Sequence, residues 1–335
     1  MKKIAAVIIL TVMIVFSINM VFADTLLSVK TKGFVQCGVN TGLAGFSSAD
    51  KKGIWKGLDV DICRAAAAAT LGDASKVKYI PLTAKERFTA LQSGEIDILS
   101  RNTTWTLTRD ASLGINFVGV SYYDGQGFMV NKNLGVKNVK ELNGATVCLH
   151  AGTTTELNLA DYFRVNGMNY KAVTYDTADA TIKGFEAGRC DVLTSDQSQL
   201  FALRIKLKKP QSAMILPDVI SKEPLGPVVR QGDDKWFNIV KWSLFTVVNA
   251  EELGLTSQNV DKMKSSTNPA IARMMRGQGG KLGLDDDWSY NIIKQVGNYA
   301  EIFERNIGME TPLKISRGLN ELWSRGGLQY APPFR

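Results

Sequence analysis

A single histidine, His150, stands in the 335 residues. A Ser-His-Asp or Cys-His arrangement would have to be built on that one imidazole, which ends a β-branched run where an incidental role is the simpler reading. Phosphate-cradling glycine loops are missing as well. No GxGxxG or GxxxxGKS/T follows a strand pattern, which removes the dinucleotide and P-loop readings. The four cysteines contain no CxxC pair, and with one histidine they do not make a zinc site, so neither metal nor cofactor is expected. Basic residues outnumber acidic ones, 40 to 32, but form no Arg/Lys block of the kind that grips phosphates. Nucleic acid is therefore not an expected partner. After the first 23 residues no apolar run is long enough to span a bilayer.

The N-terminus is informative. Lys2 and Lys3 precede an uncharged apolar run from Ile4 to Phe16, and Val21-Phe22-Ala23 closes the segment before Asp24. A positive start, a short apolar middle and small residues at the end describe a secretory signal peptide over residues 1–23. The run is shorter than the roughly 20 residues a membrane span needs. No cysteine stands at the cut, so a lipid anchor is not indicated. Removing Lys2 and Lys3 lowers the formal charge of +8 to about +6, a mild excess spread along the chain. What remains suits two domains in a compartment that permits disulfides.

Strand and helix patterns alternate through the mature chain. Phe34 to Val39 reads as a strand, Leu58 to Leu71 as a helix ended by Gly72, and Val77 to Leu82 as a strand. Ala84 to Ser93 reads as a helix and Ile96 to Ser100 as a third strand. The rhythm restarts with strands Thr146–His150, Lys171–Tyr175 and Cys190–Thr194, separated by helices Thr154–Val165 and Thr177–Ala187 and followed by helix Gln197–Leu207. Leu91–Ser100 (LQSGEIDILS) repeats as Phe185–Thr194 (FEAGRCDVLT), each with a glycine stop and an aspartate, Asp97 or Asp191. Two copies signal two similar lobes. Such alternation predicts an α/β fold in which each lobe is a mostly parallel sheet flanked by helices. Tyr122–Val130, bent at Gly125 and Gly127, and Glu223–Val229 supply two crossings. The expected division is 24–127 with 228–335 for lobe one and 128–227 for lobe two, with a cleft between them. Of three possible cysteine pairings, Cys37–Cys63 with Cys148–Cys190 keeps each bridge inside one lobe. The helical pattern of Trp236–Glu252, and those of Trp288–Ile302 and Leu319–Trp323 beyond it, are expected to cover lobe one.

Polar groups cluster after the repeated strands. Arg101-Asn-Thr-Thr-Trp-Thr-Leu-Thr-Arg109 offers hydroxyls, an amide and a guanidinium suited to a carboxylate, or forms an ordinary capped loop. Asp196 is placed to meet an ammonium or to cap the following helix. Gly152-Thr153-Thr154-Thr155 presents N–H and hydroxyl donors to an anion, or serves as an N-cap. Donors on one lobe facing an acid on the other is the pairing a desolvated zwitterion requires.

These residues carry a family resemblance. Gly57–Ile62 (GLDVDI), Ala84–Ile98, Asn102–Arg109, Gly152–Thr154 and Asp191–Asp196 resemble the periplasmic amino-acid-binding proteins of ABC importers, most closely the general L-amino-acid-binding branch, over essentially the whole mature chain. The resemblance implies a type II periplasmic binding fold and binding without turnover. It places Asn102, Thr104 and Arg109 on the ligand's α-carboxylate, adds Thr153 and Thr154 from lobe two, and puts Asp196 on the α-ammonium. Members selective for basic amino acids carry an acid and an aromatic where this chain has Asn40 and Leu43, which implies that Asn40 faces a broad or polar range of side chains. Trp55, Trp105 and Phe46 suit either the pocket or the core. The implied partners are a free L-amino acid and the permease subunits, with the chain a monomer in the periplasm.

Overall fold

The computed structural model describes residues 24–276 and 278–335, so the expected signal peptide lies outside the described residues. Helix α1 (Thr25–Lys32) leads into β1 (Val35–Asn40), the hairpin β2 (Ser48–Ala49) and β3 (Trp55–Lys56), and helix α2 (Leu58–Leu71). Then come β4 (Val77–Leu82), α3 (Arg87–Gln92), β5 (Ile98–Leu99), α4 (Leu107–Ser112) and β6 (Ile115–Phe117). The chain crosses over through β7 (Tyr122–Asp124) and β8 (Gln126–Asn131). The second unit runs β9 (Thr146–His150), α5 (Thr155–Val165), β10 (Lys171–Tyr175), α6 (Ala178–Glu186), β11 (Val192–Asp196), α7 (Gln197–Arg204) and β12 (Ala213–Ile215). It returns through β13 (Glu223–Leu225) and β14 (Val228–Arg230) to α8 (Asp234–Glu252), α9 (Val260–Met263), α10 (Pro269–Met275), α11 (Trp288–Val296) and α12 (Tyr299–Asn306).

Two five-stranded sheets result, ordered β4-β1-β5-β14-β6 and β10-β9-β11-β8-β12. Each has four strands running one way and one reversed. The reversed strand, β14 or β8, is the one delivered by a crossing, and it pairs antiparallel with both its neighbours. The lobes thus share one topology and each takes a strand from the connection between them. The sequence repeat has a structural cause. Asp97 Oδ2 accepts the N–H of Gln36 at 2.7 Å, and Asp191 Oδ2 accepts the N–H of Thr146 at 2.8 Å. Each aspartate ties the start of the third strand to the start of the first. At the break between β7 and β8, a Cβ on Gly125 would stand 2.2 Å from Val219 Cγ1.

Burial explains the helices. The alanine run of α2 is buried, which lets that helix lie close to the sheet and to α8 and α11. Gly57, at φ 137°, starts it; a Cβ there would lie 2.0 Å from the carbonyl oxygen of Phe46. Cys37 on β1 is bonded to Cys63 on α2, and Cys148 on β9 to Cys190 before β11, across separations of 26 and 42 residues. Loops of that size stabilise by about 3–4 kcal/mol each in the chain-entropy view.

Two expectations for the C-terminal part need correction. The pattern Trp288–Ile302 is broken by Gly297 at φ 89°, and α12 starts afresh with an Asn298–Glu301 capping box. Leu319–Trp323 is no α-helix; the 3₁₀ turns Gly318–Asn320 and Trp323–Arg325 occupy that region. Trp288, Tyr299, Phe303 and Ile307 nevertheless join the core of lobe one. No helix among the described residues is long and apolar enough to cross a membrane.

Candidate functional site

The carboxyl ends of β1 and β5 face those of β9 and β11, where open α/β sheets gather their ligand groups. The lobes are closed on one another. Lys85 Nζ meets Asp176 at 2.5 Å, Asn102 Nδ2 donates to Gln199 Oε1 at 3.2 Å, and Lys206 Nζ donates to the carbonyl of Gly42 at 2.8 Å. Between them lies a small cavity of about 20 Å³, nearly filled by its own side chains. Lobe one lines it with Arg87, Arg101, Asn102, Thr104 and Arg109. Lobe two supplies His150, Thr153, Thr154, Thr155, Ser195, Asp196 and Gln199.

Asn102 is held in place from every side. Its N–H donates to Asp59 at 2.8 Å, its Oδ1 accepts from Asn40 at 3.0 Å, and its φ of 32° is a backbone conformation that persists only where surroundings enforce it. Asn40 is not among the residues lining the cavity; its amide donates to Asn102, which does line it. The Arg109 Nη1 donates to the carbonyl of Thr104 at 2.8 Å, and Phe88 lies under both Arg109 and Arg87, 5.4 and 4.9 Å from their guanidinium carbons. Thr153 and Thr154 line the cavity, but their hydroxyls already donate, to the carbonyl of His150 at 2.7 Å and to Glu223 at 2.9 Å. What they offer is backbone N–H at the positive end of α5.

Asp196 is only 7% exposed, and among the described residues nothing donates a hydrogen bond to its carboxylate. Although it heads α7, the capping role belongs to Asp124, whose carboxylate accepts the N–H of Ser198 at 3.3 Å. Burial, with Asp124 and Glu223 nearby, drives the Asp196 pKa well above the usual carboxylate range. Burial, with Glu223 nearby, pushes Asp124 up to about 6 against the opposing hydrogen bonds from Ser198 and Gly125. Arg87 is the converse case. It is 2% exposed, its nearest acceptors are Thr103 Oγ1 and the carbonyl of Gly152, both at 3.4 Å, and its Nε has no partner. Burial and the neighbouring Arg101 and Arg109 lower its pKa strongly. Arg101 is better placed, with Nε on the carbonyl of Leu82 at 2.8 Å and Asp59 nearby, yet burial still brings it to about 10. Burial also lowers His150 to about 4, so its ring is neutral at pH 7. The cavity therefore presents three guanidiniums against one carboxylate, with the Arg87 Nε and the Asp196 carboxylate left without hydrogen-bond partners.

The sequence profile of the bacterial extracellular solute-binding proteins, family 3, matches residues 35–278. The chain belongs to that family. It is 60% identical over 318 residues to the general L-amino acid-binding periplasmic protein AapJ of Rhizobium johnstonii, covering 93% of each chain. It is 53% identical over 318 residues to the glutamate/glutamine/aspartate/asparagine-binding protein BztA of Rhodobacter capsulatus, covering 93% of this chain and 94% of the relative. A periplasmic binding protein from Brucella ovis, solved with glutathione bound, superposes with a TM-score of 0.92 at 56% identity, covering 93% of this chain and all of that one.

In this solute-binding protein the three ambiguous aromatics stay off the cavity lining. Phe46 is fully buried edge-on to Tyr122, Trp55 leans on Tyr79, and Trp105 stacks on Phe117 at 5.3 Å. Arg87 and Gln199 line the cavity without having been singled out. Both sit inside helix patterns where a polar residue reads as solvated surface. The one available signal for Arg87 was a charge beside the apolar Phe88, Ala90 and Leu91 at the start of α3.

Proposed function

We propose that the chain is the substrate-binding component of an ABC importer and captures free L-amino acids of broad or polar range, with acidic side chains and their amides favoured. The unpartnered Asp196 carboxylate, buried across the cavity from the Arg109 guanidinium, is the observation that carries this reading. An α-amino acid supplies both missing partners at once: its ammonium meets Asp196, and its carboxylate meets Arg109, Asn102, Thr104 and the backbone N–H groups of Thr153 and Thr154. Charge-assisted bonds of this kind are about twice as strong as neutral ones. Arg87 then remains without an anion, and a side-chain carboxylate or amide oxygen fits that need. The names of AapJ and BztA support the same range.

Free amino acid docks on lobe one through Arg109, and lobe two closes over it by hinge rotation, which converts occupancy into a shape the permease reads. In this reading the lobes divide as 24–127 with 228–335 and 128–227. Residues 1–23 are a signal peptide removed on export to the periplasm, and the mature protein acts as a monomer.

Titration calorimetry of the mature protein with L-glutamate, L-glutamine, L-alanine, L-lysine and glutathione tests the assignment, the last because of the Brucella ovis complex. Arg109→Ala and Asp196→Ala each weaken amino-acid binding at least about tenfold, the loss of roughly 1.4 kcal/mol. Wild-type affinity in either variant would reject the site.

A further inference from the structure

The family profile stops at residue 278, yet the chain continues to a buried contact with the hinge. Asn320, 3% exposed, accepts the N–H of Tyr123 at 2.7 Å and donates to the carbonyl of Tyr123 at 3.0 Å. Its side-chain amide stands where a neighbouring strand would. Tyr123 turns its N–H and carbonyl to the edge of β7 away from β13, since Pro224 opposite it sends its own carbonyl to the N–H of Trp105. Two residues earlier, the Tyr299 hydroxyl donates to the carbonyl of Ser121 at 2.8 Å. Asn320 is itself anchored. Its carbonyl accepts from Arg317 at 3.0 Å, and Arg317 makes a buried pair with Glu251 of α8 at 3.0 Å while lying over Tyr299 and Phe303 of α12.

The next residue along β7 is Asp124, whose carboxylate holds the N–H of Gly125 at 2.9 Å and that of Ser198 in the first turn of α7. Helix α7 is the one headed by Asp196. A continuous set of contacts thus runs from the C-terminal segment, through the first crossing strand, to the start of the helix that presents the unpartnered acid.

We propose that residues 299–320 are a hinge clamp, with Asn320 as a positioning residue. The clamp fixes the crossing strand to lobe one as far as Tyr123 and confines bending to Asp124–Gly125. Its contacts lie within lobe one and persist when the cleft opens, so they do not favour the closed form directly. They act by limiting how many open conformers the unliganded protein can reach. Without them closure has more conformational freedom to remove, and the competent fraction falls. This goes beyond the ligand reading above and does not depend on it for its first test.

Small-angle scattering of the unliganded mature protein supplies that test. Asn320→Ala enlarges the radius of gyration of the unliganded form relative to wild type, and Asn320→Asp, which keeps the acceptor for the Tyr123 N–H but loses the donor, falls between them. With saturating L-glutamate all three scatter alike, and calorimetry shows affinity about fivefold weaker or more in Asn320→Ala, the lower end of ordinary coupling. Identical unliganded scattering for wild type and a folded Asn320→Ala, judged by circular dichroism, would overturn the clamp whatever the protein binds. If that variant does not fold, Gly125→Ala takes its place. Its Cβ would fall 2.2 Å from Val219 Cγ1 and 2.8 Å from the carbonyl oxygen of Ser221 in the closed form, so it must oppose closure if bending is centred there. Where wild type closes on saturating L-glutamate, scattering that shows Gly125→Ala closing as fully would equally refute the proposal.

Discussion

Replacing Arg87 by methionine separates a ligand group from a structural one, because the two roles predict opposite signs. Arg87 is buried to 2% exposure, its two acceptors stand at 3.4 Å, and its Nε has none. A guanidinium in that position is a desolvated cation without adequate compensation, as its strongly lowered pKa records. Methionine fills similar volume without charge, so the unliganded protein should gain stability, by about 1–3 kcal/mol for an unsatisfied buried group removed. For a chain of this size that raises Tm by roughly 2 °C or more. Affinity moves the other way. A charge-assisted bond to a side-chain carboxylate is worth about 1.5–3 kcal/mol, so L-glutamate binding weakens roughly 10- to 100-fold. L-Alanine, which has no oxygen to place there, changes less than about threefold. Differential scanning fluorimetry on the unliganded protein and calorimetry with both amino acids make the comparison. A variant that loses stability, or loses glutamate and alanine in equal measure, would show that Arg87 supports the fold of α3 and does not read the side chain.

Two further outcomes follow from the same geometry. The raised pKa of Asp196 means that the closed, unliganded site holds a proton an ordinary aspartate would release, so ionisation disfavours that form as pH rises above the ordinary carboxylate range; the ligand ammonium favours the ionised acid, and L-glutamine affinity should rise with pH, by at most about tenfold per unit, with protons released on binding at pH 5. Calorimetry at pH 5 and 7.5 in buffers of different ionisation enthalpy measures this, and since His150 is held near 4 and is neutral throughout, a pH-independent Kd would contradict the assignment. Gly57→Ala is expected to destabilise by about 3 kcal/mol or more, because its φ of 137° and the 2.0 Å approach to the Phe46 carbonyl leave no place for a methyl group; urea denaturation showing a loss below about 1 kcal/mol would count against it.

Legibility in the sequence tracked how local the physics was. Strands β4, β9 and β10 and helix α2 end where their apolar runs meet turn residues, because one residue or two decide the boundary. The repeated aspartates were visible as a pattern, and the strand tie each makes gives the pattern its cause. The reversed strand in each sheet was not visible, since direction is set by where a crossing delivers the chain. Asn40 illustrates the limit at the site. Its position after β1 follows from sequence, but whether its amide meets the cavity or Asn102 is decided by the left-handed turn at Asn102, a tertiary event.

Asp196, Arg87 and Asn320 divide along the same line. An acid after a buried strand invites two readings, a helix cap or a ligand partner, and only the placement of Asp124 against the N–H of Ser198 removes the first. Asp124 comes from a different lobe-crossing segment, 72 residues upstream of Asp196 in the chain, so no window on either residue contains the answer. Asn320 lies further still from the backbone it pairs with, at a separation of 197 residues. Such long-range polar pairings cost loop-closure entropy that grows only slowly with separation, so the fold bears them at little extra expense while sequence periodicity carries no trace of them. That asymmetry explains why the polar cluster containing Arg109 was readable from residue types, whereas the burial of Arg87 and the contacts of Asn320 with the crossing strand became apparent only once distant segments were brought together.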